Sequence, residues 1–542
     1  MARTLRRLTP AQGALPIIVL WALPLAASVL MLLPAIAEPD AWRQLQSHPQ
    51  LWSALVLSLA TGGGASVLAL LMSVLVLAGL DRSRALPQFR ALAAAGLALP
   101  HLAFAIGFGF LIMPTGLIAR LIEGGATPPP WVTVQDPWGI SLMLALALKE
   151  LPFLLIAALA ALARGDGTGR LTQERRVAAS LGHGAGSVWL RVVLPQLLPS
   201  LRWPLVIVFV YGATVVDMAL VLGPTQPPTL AVVIWHALNH ADAAVNGMGL
   251  AMTLLLTSVL AALVATTLLL LQVTLPRLRH WLCAGPSLLA APRGMAVVTG
   301  TMAGLLMLAA ILLLALLSVT PRWPYPALMP PAVTFAAWTT LGSSAAPLWL
   351  SLLLAATTAL AALGLALLWF ETQPEGRDRW LIGLALATLA LPQLAVAGGQ
   401  YRLFLGLGLT GTLPGLFLAH LTPVASYVLI ILQGPYRAFD SRYMMVARSL
   451  SVPASTAWLR VKLSLLRAPV LTAAAIGFAV SMAQFVPAQL VAAGRYSTLP
   501  MEAVTLSAGG NRPLTAAFAL CLAAPPLAAF LAASLLGRPR WR

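Results

Sequence analysis

Charge is scarce in this chain of 542 residues: only 9% are Asp, Glu, Lys or Arg, against about 25% in an ordinary soluble protein. Lysine is nearly absent. Only Lys149 and Lys462 occur, and neither follows a glycine. A phosphate-cradling loop requires G-x-x-x-x-G-K-[ST], so the chain cannot hold ATP by that route, and an ATPase has to be a separate subunit. Cysteine is limited to Cys283 and Cys521, which implies neither a disulfide nor a metal site. The seven histidines are scattered, no His/Asp/Glu cluster has metal-ligand spacing, and no nucleophile motif points to an enzyme. No cofactor is expected on this chain.

What is present is apolar. Hydrophobic residues make up 60% of the chain and come in runs of about 20 or more, long enough to cross a bilayer as helices. The runs give about twelve spans, near 14–36, 52–79, 92–113, 138–163, 202–222, 248–272, 297–320, 347–370, 380–400, 413–433, 471–492 and 514–536. With the N-terminus inside, 26 of the Lys and Arg residues fall on the inner side and six on the outer: Arg43, Arg120, Arg322, Arg402, Arg495 and Arg512. That asymmetry places both termini in the cytoplasm. The net charge of +18 therefore orients the protein in a membrane; it is not a nucleic-acid patch. Arg3, Arg6 and Arg7 precede the first run as they would in a signal peptide. The run is long, however, and no small-residue cleavage site follows, so it reads as a retained helix.

The chain repeats itself. "LALPHLAFAIG" (Leu97 to Gly107) returns as "LALPQLAVAGG" (Leu389 to Gly399), an offset of 292. "VWLRVVLP" (Val188 to Pro195) returns as "AWLRVKLS" (Ala457 to Ser464), an offset of 269. The first half thus carries 23 extra residues between its third and fourth spans, and the proline-rich, outward-facing stretch from Thr115 to Asp136 accounts for them. The expected plan is an all-α membrane protein of two parallel six-span repeats. The first is 1–272 with a cytoplasmic loop near 164–200, the second 297–542 with a loop near 436–470, and a cytoplasmic linker, 273–296, joins them. An even number of spans per repeat keeps both copies in one orientation.

The cytoplasmic loops carry a resemblance. Glycine, nine residues, an aliphatic, one residue and Leu-Pro fit Gly182, Val192, Leu194 and Pro195. This resembles the EAA loop of permease subunits in binding-protein-dependent ABC importers. The two-module plan is similar to the fused permeases of the thiamine, iron(III) and related small-solute importers, with the type I permease fold. The resemblance implies a coupling helix in each loop that docks on the ATPase: Arg176, Ala178, Ala179, Leu181 and Gly182 in the first copy, Met445, Ala447, Leu450, Ser451 and Pro453 in the second. It further implies an ABC ATPase dimer carrying ATP and Mg at the cytoplasmic face, a periplasmic solute-binding protein, and a place in the bacterial inner membrane. The family's glutamate, six residues before the glycine, is Arg176 here and Met445 in the second copy, with Glu174 two residues out of register. The second glycine is Ser451, so Pro453 is expected to supply the break there, because proline removes a helical donor. A generic basic loop is the plainer reading.

Charges inside spans are costly and mark function by default. Lys149 and Glu150 lie in the fourth span and Asp217 in the fifth. A Lys149–Asp217 pair would leave Glu150 near a water-filled path. Because the family's fifth spans line the translocation path, Asp217 is the best path residue, with a structural ion pair as the alternative. In the second module the aligned position is Val486, and Ser481, Gln484 and Gln489 are the polar residues. Glu150 and Asp217 against Lys149 lean towards a cationic or metal-containing solute such as thiamine or iron(III). The rival class is a twelve-span secondary transporter of the major facilitator type. "AGLDRSRA" (Ala78 to Ala85) looks like its loop between spans two and three, but the glycine-to-aspartate spacing is too short, and two coupling loops go unexplained.

Overall fold

The computed structural model describes residues 10–538 apart from Arg82, Gly124, 166–168 and 285–288; Arg3, Arg6 and Arg7 lie outside the described residues. Among those described there is no β-strand. The first half runs α1 (Pro10–Ala37), α2 (Pro39–Ser47), α3 (Leu51–Leu80), α4 (Leu86–Ala98), α5 (His101–Ile112), α6 (Ile140–Gly165), α7 (Arg170–Ser180), α8 (Ala185–Thr214), α9 (Asp217–Leu222), α10 (Leu230–Leu238) and α11 (Ala243–Ala284). The second half runs α12 (Arg293–Ser318), α13 (Ala336–Ser343), α14 (Ala346–Thr372), α15 (Asp378–Ala390), α16 (Gln393–Gly406), α17 (Leu413–Arg437), α18 (Arg442–Ser449), α19 (Ala454–Leu465), α20 (Arg467–Met482), α21 (Val486–Ala492), α22 (Leu499–Ala508) and α23 (Arg512–Leu536). The order of these elements repeats, with α8 of the first half answered by α19 and α20 in the second; the first half adds a short helix, Leu117–Ile122, in its inserted stretch. Ten described helices are long and apolar enough to cross a membrane, or twelve if each bent pair is one span.

Both third spans are broken where the repeated Leu-Pro falls. A residue before proline is pushed out of the helical region, and Leu99 (ψ 123°) and Leu391 (ψ 144°) are extended accordingly. The second-half pair bends by 102° there. His101 and Gln393 become the first residues of α5 and α16. The fifth span departs from its expected limits of 202–222. It begins at Ala185, runs through Pro199 and Pro204, and stops at Thr214. A π-turn over Trp189–Val193 sits just ahead of Pro195. The repeat has the same π-turn over Trp458–Lys462, after which α19 and α20 bend by 75°.

Each half lends its first span to the other. On α1, Ala14, Ile17, Trp21 and Leu25 share a core with Leu365 and Val424 of the second half, and the Trp21 indole donates to the Thr422 carbonyl at 2.9 Å. On α12, Met307, Ala310 and Leu314 pack with Leu102 and Phe104 of the first half. The repeated strings end on the glycines that permit this. A Cβ at Gly107 would come 2.7 Å from the Ala310 carbonyl oxygen, and one at Gly399 would collide with the Ser28 carbonyl. Small residues bring helix backbones together in membranes, and here they do so at matched positions. The units read from the sequence and the units that pack therefore differ by one exchanged helix each.

Candidate functional site

The two loops expected to couple to an ATPase form elbows that are built alike. At the end of α7, the Gly182 N–H donates to the Ala179 carbonyl (3.1 Å) and the His183 N–H to the Ala178 carbonyl (3.2 Å), with Gly182 at φ +83°. At the end of α18, the Ser451 N–H donates to Arg448 (2.9 Å) and the Val452 N–H to Ala447 (3.0 Å), with Ser451 at φ +57°. Both are Schellman turns, which satisfy the last carbonyls of a helix through one left-handed residue. This corrects the expectation for Pro453. Ser451 itself makes the break, while Pro453 (ψ 141°) is the extended residue before α19, as Gly184 (ψ 155°) is before α8.

Each turn thrusts one leucine into solvent: Leu181 is 73% exposed and Leu450 71%. Val177 and the matched Val446 flank them, also exposed, as are Arg176, Ala179 and Met445. Ala178 is half-buried, and Ala447 is buried. Beside α7 and α18 lie open grooves of about 640 and 690 Å³. Glu174 accepts from Arg170 (2.8 Å) and Gln196 (2.7 Å). These bonds, Arg170 foremost, hold its carboxyl below the usual range, so this glutamate is used within the loop.

Sequence reasoning missed how the second elbow is fastened. Glu371, near the end of α14, accepts from Lys462 (2.6 Å), from the Trp458 indole (2.7 Å) and from the Tyr436 hydroxyl. Arg437 grips Asp378 through two nitrogens at 2.6 and 2.8 Å. The available signal was the abrupt "ETQPEGRDR" after an apolar span. Removing one partner of a largely buried ion pair costs about 3–5 kcal/mol, so Glu371→Leu should lower the thermal stability of the purified chain markedly. The double change Glu371→Leu with Lys462→Met should recover part of it, as read by thermal unfolding in detergent.

Within the membrane, the structure separates residues expected to pair. Lys149, 2% exposed, donates to the Gly96 carbonyl at 3.0 Å. Glu150, 7% exposed, meets His101 Nε2 at 3.0 Å, and the His101 ring lies 4.8 Å from that of Tyr211. Asp217 is the buried first residue of α9. It makes no ion pair among the described residues. The expected Lys149–Asp217 pair is therefore absent, since the Lys149 amine turns to the break in the third span instead. Stability effects of Lys149→Met and Asp217→Asn should then add to within about 0.5 kcal/mol; a larger coupling between them would contradict the geometry.

In the second half, Gln393, matched to His101, donates to Gln484 at 3.1 Å. Ser481 is held by Thr358 (3.0 Å) and His420 (2.9 Å) in the packing of α14, α17 and α20. Each half thus carries polar groups at its break: His101 with Glu150 and Tyr211 in one, Gln393 with Gln484 in the other. His101 and Gln393 were legible as the residues that follow each Leu-Pro.

No family profile matches the chain. An Escherichia coli protein, "Inner membrane ABC transporter permease protein YnjC", is 33% identical over 539 residues, 98% of both chains. Two mycobacterial proteins, "Molybdenum transport system permease protein ModB" of Mycobacterium bovis and of Mycobacterium tuberculosis, are each 32% identical over 255 residues, 46% of this chain and 88% of ModB. That match covers about half of this chain and most of ModB, as one module would.

Proposed function

The chain belongs to the permease proteins of ABC transporters, and from that premise we propose that it forms the translocation path of an importer driven by a separate ATPase dimer. The observation that carries the reading is the pair of matched elbows, each presenting a leucine on a Schellman turn at the face where the basic residues collect. On this reading both termini are cytoplasmic, a periplasmic binding protein delivers solute to the outer mouth, and the protein resides in a bacterial inner membrane. ATP and Mg belong to the partner. The major facilitator reading is set aside, because a full-length ABC permease relative covers the whole chain and that class has no use for two such elbows.

The solute we propose is one carrying positive charge, of the thiamine or iron(III) kind. Glu150 and Asp217 supply carboxylates beside the breaks in the spans, while the Lys149 amine is spent on a backbone carbonyl. The relatives named for molybdenum transport favour a second reading, an oxyanion. Uptake of labelled thiamine, ferric iron and molybdate into proteoliposomes holding this chain, its ATPase and its binding protein tells them apart. ATP-dependent molybdate uptake alone would overturn the charge argument. Robust ATP hydrolysis by the isolated chain would overturn the whole reading.

A further inference from the structure

We propose that the linker joining the two modules is a working part of the coupling apparatus. Through Leu289 it holds Gly186 and Ser187, at the start of α8, so that movement of α7 passes into the membrane helix. This rests on the reading of the chain as an ATP-driven permease.

The first N–H groups of a helix have no partner within it. At α8 no side chain caps them, since Gly184 precedes the helix. The linker does so instead. The Gly186 and Ser187 N–H groups both donate to the Leu289 carbonyl, at 2.9 and 3.3 Å, and the Leu289 N–H returns a bond to Ser187 Oγ at 2.9 Å. The approach is so close that a Cβ at Gly186 would run into the carbonyl of Ala290. In the second copy the matched residues are Ser455 and Thr456, where side chains are accommodated.

The two copies are fastened by different means. In the second, Glu371 ties down Trp458 and Lys462. The matched Trp189 indole has no acceptor among the described residues; the first copy ties α7 to the end of α3 through Arg175 and Asp81, 2.7 Å apart, and holds the start of α8 with the linker. The linker leads directly into α12, whose Ala296 shares a small core with Trp189, Val193 and Leu80. The linker thus meets the start of α8 through the Leu289 backbone and reaches the core at its base through Ala296. Gly186 and Ser187 are positioning residues.

The test uses the chain–ATPase complex in proteoliposomes, with ATP hydrolysis measured with and without its binding protein. Gly186→Ala, which pushes the linker carbonyls off the helix start, and Ser187→Ala, which removes the acceptor for the Leu289 N–H, should each cut the stimulation by binding protein roughly fivefold, the factor that one lost cap or hydrogen bond corresponds to, at an unchanged amount of assembled complex. Ser187→Thr, which keeps the hydroxyl and imitates Thr456, should retain it, as should Ser455→Ala. With Cys283 and Cys521 replaced by serine, the pair Ser187→Cys and Leu289→Cys should crosslink in the resting complex. Normal stimulation in both alanine variants overturns the proposal. So does a loss of complex with normal stimulation per complex remaining, the mark of a merely structural tie. A wild-type chain that forms no ATP-hydrolysing complex would sink the functional reading as well, which a normal wild type with unaltered variants would not.

Discussion

Replacing Leu181 and Leu450 together with glutamate is expected to abolish ATP-dependent transport while the chain still inserts in the membrane. These two side chains stand 73% and 71% exposed on the tips of matched turns, and neither contributes to a core. With Val177 and Val446 exposed beside them, they offer a partner an apolar contact at the same place in each repeat. If each leucine seats in an apolar recess of a partner, a carboxylate there forfeits the burial and must be desolvated, at a cost of about 2–3 kcal/mol per site. Two such losses weaken docking by roughly a thousandfold or more. The measurement is co-purification with the ATPase from membranes, followed by hydrolysis by whatever complex survives. Each single change should leave a weakened but detectable complex, because the other elbow still docks. Full co-purification of the double variant would show that the turns are ordinary solvent-facing loops.

The repeat was the part of the fold most legible in the sequence, because it consists of residues with strong local consequences. Leu-Pro breaks a helix wherever it falls, so "LALP" marks the kink in both third spans. The glycine closing each string marks a close approach, although not what approaches. That an exchanged first span fills the space could not be read. The apolar faces of α1 and α12 suit either half equally well, and the choice is made by packing at long range. The Lys149–Asp217 pair failed for a related reason. Counting charges in spans identifies which groups need a partner, but a backbone carbonyl freed at a helix break is invisible in a count of side chains. The Gly96 carbonyl, three residues ahead of the Leu99 break, is such a group. Glu371 went unnoticed because it sits where a span ends, and charge there is ordinary. Only the fold brings Trp458, Lys462 and Tyr436 onto it.

The left-handed residue at each elbow gives the second large expectation, and it reverses the ranking suggested by residue type alone. Gly182 and Ser451 both occupy the region of positive φ, at +83° and +57°, which glycine enters freely and β-branched residues enter only with strain of about 1–3 kcal/mol. Nothing within 4 Å would obstruct a Cβ at Gly182, so the cost of a side chain there is purely conformational. Gly182→Val should unwind the end of α7, swing Leu181 off its mark, and cut ATP-driven transport about tenfold at matched expression. Ser451→Val should do nearly as much harm at α18, since valine replaces a residue that already tolerates the angle with difficulty. Ser451→Gly should act the other way, firming the turn by about 0.5–1 kcal/mol and leaving transport at or above the wild-type level. Pro453→Ala should be mild, because Pro453 is merely the extended residue before α19 and any residue adopts that backbone. The four variants, reconstituted with the ATPase and compared for transport and for thermal stability, decide the matter. A damaging Pro453→Ala beside a harmless Ser451→Val would place the break at the proline after all, and the two elbows would then differ in construction as well as in sequence.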